Sequence, residues 1–415
     1  MQGGPAAQPH MRRGTPEFHR TNLAFFLAGF ITFAVLYCTQ PLLPVFSAEF
    51  HQSPAESSLA LSVTTFTIGF AMLVAGTLSG VLGRKPVMCV SMVCSTVLVM
   101  LTALSPNFTV LLFFRAAQGI ALAGIPAVAM GYLTEEVHRD SLGIAMGLYI
   151  SGNAIGGMSG RLLTGAVTDL LSWRVALALI GALGLLAAGA FWRILPPSRH
   201  FVARPMLPRY LALQLLENLR DPGLRHLFLL GAILMGSFVT LYNYLGYRLV
   251  AAPYHLSQFT ASLVFLVYLV GTFSSAWMGS LSGRYGRRPV LIAGVLAMVL
   301  GLSLTLLQPL PFLILGVMCF TFGFFGSHSI ASSWVGLRAA GDSAQAAALY
   351  LLFYYLGSSI CGFSGGLAWA RFAWPGVAVF IALMLAVGVV LAVRLSHIPP
   401  RQSEAAAVRA STGAA

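Results

Sequence analysis

His328 is the side chain best placed for proton chemistry inside an apolar segment of this sequence. It lies in the middle of a long apolar run, and histidine is the residue that ordinarily changes charge between about pH 5 and 8. All eleven carboxylates fall outside the middle of such runs; Glu135 and Glu136 end one of them. Two hypotheses follow for His328: it carries a proton across a membrane, or it is a neutral hydrogen-bonding residue that lines a cavity. Glu135 and Glu136 are further candidates for proton coupling.

Two arginines also lie within apolar runs. Arg115 is a few residues inside the end of its run, where a permanent charge costs a few kcal/mol unless it is paired or reaches water. It either contacts an anionic substrate, controls a proton site electrostatically, or extends to the interface. Arg161 lies about 20 residues into a later run, or about 30 Å along a helix. We therefore expect Arg161 near the far membrane surface, directed toward Asp169.

Amide and tyrosine side chains in three runs predict a ligand-binding surface. Gln40 precedes Pro41, which removes a backbone donor and bends a helix, so Gln40 either lines a cavity or is a buried structural amide. Tyr242, Asn243 and Tyr354 offer aromatic faces and polar groups, which suit an amphipathic or cationic aromatic ligand. Other tyrosines nearby must pack in the core, because adjacent residues on a helix cannot all face one cavity.

The composition excludes a soluble protein. Hydrophobic residues make up 58% of the chain and charged residues 8%, whereas soluble domains have about 25% charged residues. The net charge of +13 is interpreted as an orientation signal rather than a nucleic-acid site. The expected partners are therefore the lipid bilayer, a small-molecule substrate and protons, with no cofactor, no metal and no nucleic acid. No nucleotide-binding loop is found, so ATP is not the expected energy source.

Apolar runs long enough to cross a hydrocarbon layer of about 30 Å recur along the chain. They predict twelve membrane spans, at residues 22–46, 59–80, 87–104, 109–131, 141–165, 174–194, 227–249, 258–280, 289–307, 312–334, 345–367 and 375–395. The predicted organisation is an N-terminal tail (1–20), a six-helix bundle (21–194), a linker (195–226), a second six-helix bundle (227–395) and a disordered C-terminal tail (396–415).

The positive charges predict the orientation. Nineteen of the 24 lysines and arginines fall on the side of the membrane that holds both termini, and cytoplasmic segments carry such an excess. We therefore expect both termini in the cytoplasm. The linker contains leucines spaced four residues apart after Pro208, which predicts an amphipathic helix on the membrane surface.

Two glycine-rich hairpins show that the chain repeats itself. Gly76–Pro86 reads GTLSGVLGRKP, and Gly279–Pro289, 203 residues later, reads GSLSGRYGRRP. Tyrosine and glycine positions in the fifth and eleventh runs also match, at an offset of 205 residues. Equivalent spans run in the same direction, so the chain is predicted to be two parallel halves related by an axis along the membrane normal.

These motifs resemble those of the major facilitator superfamily over residues 18–396. The hairpin at Gly76–Pro86 is similar to its first signature loop. Leu111-x-x-x-Arg115-x-x-Gln118-Gly119 and Gly152-x-x-x-Gly156-Gly157-x-x-Gly160 resemble motifs of the twelve-span drug:H+ antiporter branch. The stretches 37–44, 151–158 and 328–334 resemble bacterial inner-membrane exporters of the YnfM type.

The resemblance implies an all-α membrane protein with the major facilitator fold, a monomer in the bacterial inner membrane. It also adds Asn153, within one of those stretches, to the substrate-binding candidates. The residues assigned to gating or to structural motifs are Gly76, Gly83, Arg84, Lys85, Gly152, Gly156, Gly157, Gly160, Arg287 and Arg288. The family's loop usually carries an aspartate where this chain has Gly80 and Gly283. Any latch between the halves must then use other carboxylates, and Glu135, Glu136 and Asp140 are the nearest in sequence.

The expected function is proton-coupled efflux of a small organic molecule, such as a drug-like compound, a sugar or a metabolite, by alternating access. A proton symporter or facilitator that imports a sugar or an organic anion, with Arg115 as the anion contact, is the alternative. A membrane receptor with a transporter fold is a third class, which has little support because the sequence predicts no sizeable soluble domain.

Overall fold

The computed structural model describes residues 10–203, 208–339, 343–395 and 397–399, and these are almost entirely helical. Residues 1–9 of the predicted N-terminal tail, and residue 396 and residues 400–415 of the predicted C-terminal tail, lie outside the described residues.

The first half contains eight helices and a short 3-10 helix at Gln40–Leu42. The helices are α1 (Pro16–Tyr37), α2 (Leu43–Phe50), α3 (Pro54–Leu82), α4 (Arg84–Ala103), α5 (Phe108–Leu122), α6 (Gly124–Glu136), α7 (Arg139–Leu170) and α8 (Trp173–Ile194). Helix α9 (Pro208–Arg220) lies in the predicted linker and packs Leu215 and Leu219 against an apolar cluster of the second half. A helix therefore lies within the predicted linker, and its place on the membrane surface stays a prediction.

The described residues of the second half form six helices and a 3-10 helix at Leu263–Val267. The helices are α10 (Pro222–Val250), α11 (Gln258–Ser262), α12 (Tyr268–Tyr285), α13 (Arg287–Leu304), α14 (Leu310–Arg338) and α15 (Ser343–Leu395). Helix α15 is interrupted at Ala373, where φ is 49° and ψ is −140°, so it contains the last two predicted spans.

Ten helical segments of the described chain are long and apolar enough to cross a membrane. The last of them covers two predicted spans. Helix α7 is not among the ten, because its glycines and Arg161 dilute its hydrophobic residues, yet it is 32 residues long. The predicted single spans at 22–46 and 109–131 are each made of two helices, α1 with α2 and α5 with α6. In the first case the reason is Pro41, which has no N–H to continue the hydrogen-bond ladder.

Each hairpin turns at a glycine with a positive φ, Gly83 at 93° and Gly286 at 89°. We call the side of the molecule that carries these turns the hairpin side and the opposite side the far side. Backbones with φ near 90° and ψ near 150° are almost restricted to glycine. The hairpins thus depend on these two glycines to reverse the chain within one residue.

The two halves are in close contact toward the far side. Helix α7 packs on α11, and α3 packs on α15. The backbones approach so closely that a Cβ added at Gly366 would lie 2.4 Å from Ala55 Cα. One buried apolar cluster runs through both halves, whereas the hairpin-side part of the second half has a separate cluster. On the hairpin side, a Cβ added at Gly143, Gly147 or Gly279 would meet no atom within 4 Å. Side chains added at these three positions would therefore meet open space.

Candidate functional site

A chain of three buried polar side chains connects the two halves. Arg161 Nε of α7 donates to Gln40 Oε1 at 2.7 Å, and Gln40 Nε2 donates to Asn243 Oδ1 of α10 at 2.8 Å. Gln40 can reach both partners because the chain leaves the helical path before Pro41. The structure thus brings together two of the predicted binding residues, Gln40 and Asn243. It adds Arg161, which was predicted to lie at the far membrane surface instead.

The prediction for Arg161 was wrong. Its side chain is only 2% exposed, and Asp169 instead accepts the backbone N–H groups of Gln258 and Phe259 at 3.0 and 2.9 Å. Helix α7 continues to Leu170, and the second half covers it. Protein rather than water therefore surrounds the guanidinium. Distance along the helix correctly indicated a position toward the far side, but it could not reveal which helices pack over it.

Three aromatic rings surround the Arg161 guanidinium. Its Cζ lies 4.2 Å from the ring centre of Tyr37 and 4.9 Å from those of Phe265 and Tyr268. Its Nη1 donates to the carbonyl oxygen of Gly157 at 2.7 Å. Phe265 and Tyr268 belong to the second half, so these cation–π contacts also cross the interface. We call these three rings the Arg161 cage. The sequence analysis did not predict it; the only signal for it in the sequence was Tyr37, which recurs as Tyr242 in the second half.

Arg115 has a different environment. It is fully buried in the first half, and its Nε and Nη2 donate to the carbonyl oxygens of Ala60 and Leu36 at 2.7 and 2.8 Å. Its Nη1 donates to Val35 O at 3.3 Å and to Gln118 Oε1. Two of these carbonyls lie at the C-terminal end of α1, where helix carbonyls lose their partners. Extension to the interface is therefore excluded, and two of the four hydrogen bonds of the Arg115 side chain hold the C-terminal end of α1.

His328 and Tyr354 lie in an aromatic cluster of the second half. His328 Nδ1 is 2.8 Å from the hydroxyl oxygen of Tyr350, and its ring lies 5.8 Å from Phe324 and 4.8 Å from Tyr354 between centres. His328 and Tyr354 are partly exposed. No described carboxylate pairs with His328.

The remaining binding candidates divide between core and interface. Tyr242 is buried, and its hydroxyl is 2.8 Å from Thr321 Oγ1 within the second half. Its ring stacks on Phe265 at 5.4 Å between centres. Asn153 packs on α1, where a Cβ added at Gly29 would lie 2.4 Å from its Oδ1. Tyr242 thus supports the wall behind the Arg161 cage, and Asn153 lies at the junction of α7 and α1.

The glycine motif of α7 provides a close contact with α1. A Cβ added at Gly156 would lie 2.0 Å from Phe30 O, and one at Gly160 would lie 2.6 Å from Ala34 Cα. Gly152 makes an equally close approach to Phe26. Small residues at this spacing let membrane helices approach closely. Gly157 instead faces the Arg161 side chain.

Three of the hairpin cations, Arg84, Lys85 and Arg288, contact residues of their own halves. Arg84 Nη2 and Nε donate to Glu135 at 2.7 and 3.2 Å, and Arg84 Nη1 donates to Ser79 Oγ at 2.6 Å. Lys85 donates to the carbonyl oxygen of Leu195. In the second half, Arg287 begins α13. There Arg288 Cζ lies 5.8 Å from the ring centre of Trp334.

Glu136, the carboxylate next to Glu135 in the sequence, is fully buried and accepts the backbone N–H groups of Arg199 and His200. Glu135 is thus the partner of Arg84, and a latch between the halves remains a prediction.

Comparison with known proteins identifies a family and solved structures of similar fold. The model of the Major Facilitator Superfamily matches residues 25–249 and 227–414. The chain is 48% identical over 398 residues to an uncharacterized MFS-type transporter, YybF, of Bacillus subtilis (strain 168), covering 95% of this chain and 98% of that protein. It is 47% identical over 405 residues to the inner membrane transport protein YnfM of Escherichia coli (strain K12), covering 95% and 97%. Among solved structures, a bacterial homolog of the human lysosomal transporter Spinster, in an inward-facing and occupied conformation, superimposes with a TM-score of 0.75 at 15% identity, covering 93% of this chain and 98% of that one.

Proposed function

Because the chain belongs to the Major Facilitator Superfamily, we propose that this membrane transporter is a proton-coupled exporter of a small organic molecule. The predicted fold class is confirmed, and the chain is a transporter rather than an enzyme. We further propose that it acts as a monomer in the bacterial inner membrane, with the hairpin side and both termini in the cytoplasm. The excess of arginine on the hairpin side supports this orientation.

The observation that carries the proposal is the asymmetric contact between the halves. On the far side, Gln40 bonds to Asn243, and Tyr247 OH donates to the carbonyl oxygen of Leu43 at 2.8 Å. On the hairpin side, Gly143, Gly147 and Gly279 face open space, and we propose that the halves separate there. A two-half transporter that is closed on one side and open on the other is in one of the two end states of alternating access. With the hairpin side in the cytoplasm, this state can receive a molecule from inside the cell.

Proton coupling needs a group that binds a proton while facing either side. We propose that His328 is this group. Its partly exposed ring lies among the aromatic faces of Phe324, Tyr350 and Tyr354, which can stabilise an imidazolium. Glu135 and Glu136 are less suited, since one holds the hairpin through Arg84 and the other holds the segment after α8. The competing hypothesis, a neutral hydrogen bond between His328 and Tyr350, makes the opposite prediction for its substitution.

The proposal is tested with everted membrane vesicles. A thermal-shift screen of the purified chain against drugs, sugars and siderophores first selects a compound, because a ligand that binds only the folded state raises its stability. Everted vesicles with an acidic interior should then accumulate this compound, and a protonophore should abolish the accumulation. Vesicles without the transporter are the control. Uptake that is indifferent to the protonophore would indicate a facilitator, and accumulation only in right-side-out vesicles would indicate an importer.

A further inference from the structure

Arg161 carries a buried positive charge whose described partners are all neutral. It bonds to an amide oxygen and a carbonyl oxygen and lies against three aromatic rings. Within the described chain it forms no ion pair. A buried charge is costly unless it is paired. An arginine in a membrane interior therefore indicates a functional site whose partner must be named.

Donors beside this charge remain unused. Among the described residues, Arg161 Nη2 makes no hydrogen bond, whereas in Arg115 both terminal nitrogens donate to oxygens. The hydroxyl of Tyr268, whose ring faces Arg161, is buried without a hydrogen-bond partner. Asn243 Nδ2, at the other end of the Gln40 bridge, is likewise unpartnered. Buried polar groups almost always find partners, so this set of N–H and O–H donors fits an acceptor-rich ligand.

The walls around these donors are flat and aromatic. Tyr37, Phe265 and Tyr268 face the guanidinium. Such rings can also bind cations. Here, however, the Arg161 guanidinium already lies against these rings, and a second cation beside it would be repelled. The expectation of a cationic aromatic ligand is therefore disfavoured by the charge already present.

We infer that the transported molecule is a small organic anion with a flat apolar body, whose acidic group binds Arg161. The inference rests on the proposed function, because it assigns the substrate class of the same transporter. Arg161, rather than Arg115, is the anion contact. A planar guanidinium binds carboxylate, sulfonate or phosphate oxygens through two parallel N–H groups, and the aromatic walls hold the body of the molecule.

The test compares three probes of one shape and different charge. Binding of 2-naphthoate, 2-naphthamide and 2-naphthylmethylammonium to the purified chain is measured by calorimetry in detergent. The anion should bind about 10- to 100-fold more tightly than the amide, the preference expected from charge-assisted hydrogen bonds. The cation should bind most weakly. Equal or tighter binding of the amide or the cation, or no binding of the anion at millimolar concentration, would overturn the inference.

Substitutions test whether the preference for the anion depends on Arg161. Arg161→Gln should reduce the anion-to-amide ratio to about one, mainly through weaker binding of the anion, and Arg161→Lys should retain part of the ratio. Arg174→Gln is the matched control, because Arg174 is an arginine of the same bundle that pairs with Glu49 at 3.1 Å; its ratio should be unchanged. If Arg161→Gln does not fold, the anion-to-amide binding ratio of the wild-type protein still tests the inference. An unchanged ratio in folded Arg161→Gln would contradict the inference.

The result is independent of the transport direction and the coupling ion, because binding is measured without a gradient. Loss of the anion preference with gradient-driven export intact would overturn the substrate class alone. Anion preference without gradient-driven export would overturn the proposed function alone.

Discussion

Gln40 of the first half donates a hydrogen bond to Asn243 of the second half, with 2.8 Å between Nε2 and Oδ1 and 203 residues between them. Both side chains are buried. An amide–amide hydrogen bond contributes only about 0.5–1.5 kcal/mol, since water can replace it. Such a bond closes the far side without making the closure irreversible, as a transporter that alternates between two states requires.

His328→Gln separates the two hypotheses for this histidine. If His328 carries the proton, the variant should lose gradient-driven transport and retain exchange of the substrate, because glutamine can replace the hydrogen bond to Tyr350 but not the charge. The measurement is accumulation in everted vesicles over a range of pH. Glu135→Gln is the control, and its transport should keep the wild-type pH dependence because Glu135 binds Arg84. Unaltered pH-dependent transport in His328→Gln would show that the histidine is not the carrier.

Arg115→Gln should destabilise the protein rather than change its choice of ligand. The substitution leaves the carbonyl oxygens of Leu36 and Ala60 without their donors, and each unsatisfied buried group costs about 1–3 kcal/mol. We expect a lower apparent melting temperature in detergent and an unchanged anion-to-amide binding ratio. A wild-type melting temperature together with a lost anion preference would instead assign Arg115 to the substrate.

Gly156→Ala should disrupt the contact between α7 and α1. The added Cβ would lie 2.0 Å from Phe30 O, so the helices must separate, at a cost of about 1–3 kcal/mol or more. The expected result is a lower melting temperature and slower transport. Gly147→Ala, in the same helix, adds a Cβ that meets no atom within 4 Å and should leave both quantities at the wild-type level. Equal effects of the two substitutions would refute the packing explanation.

Gly83→Ala tests the hairpin. Its backbone, with φ 93° and ψ 154°, is almost restricted to glycine, so alanine should cost about 1–3 kcal/mol. Gly80→Ala is the matched control, because Gly80 is helical and a Cβ there meets no atom within 4 Å. Thermal unfolding of the two purified variants provides the comparison. Similar stabilities would mean that the turn tolerates a side chain after all.

The repeat, the apolar runs and the arginine distribution were sufficient to predict two six-helix halves. The bend at Pro41 was also predicted from the sequence. The breaks within the spans 109–131 and 258–280 were missed, because no proline lies at the end of α5 at Leu122 or within the 3-10 helix at Leu263–Val267. The partners of Arg115 were also missed, since backbone carbonyls carry no sequence signal. Arg161 was misplaced because its environment is set by Phe265 and Tyr268, about 100 residues away along the chain, which the repeat did not single out.

The central claim is that transport requires the far side to open between Gln40 and Asn243. The most direct test introduces cysteines at both positions in a variant without the five native cysteines, and links them with a short thiol cross-linker that is cleaved by reduction. A second pair, at Ser62 and Ser359, also crosses the interface. A pair at Ser47 and Ser57, whose Oγ atoms are 3.0 Å apart within the first half, is the control.

Transport of the compound selected by the thermal-shift screen is then measured in vesicles before cross-linking, after cross-linking and after reduction. We predict that either link between the halves abolishes transport, that reduction restores it, and that the link within the first half has no effect. Transport at the uncross-linked rate in fully cross-linked protein would contradict the account.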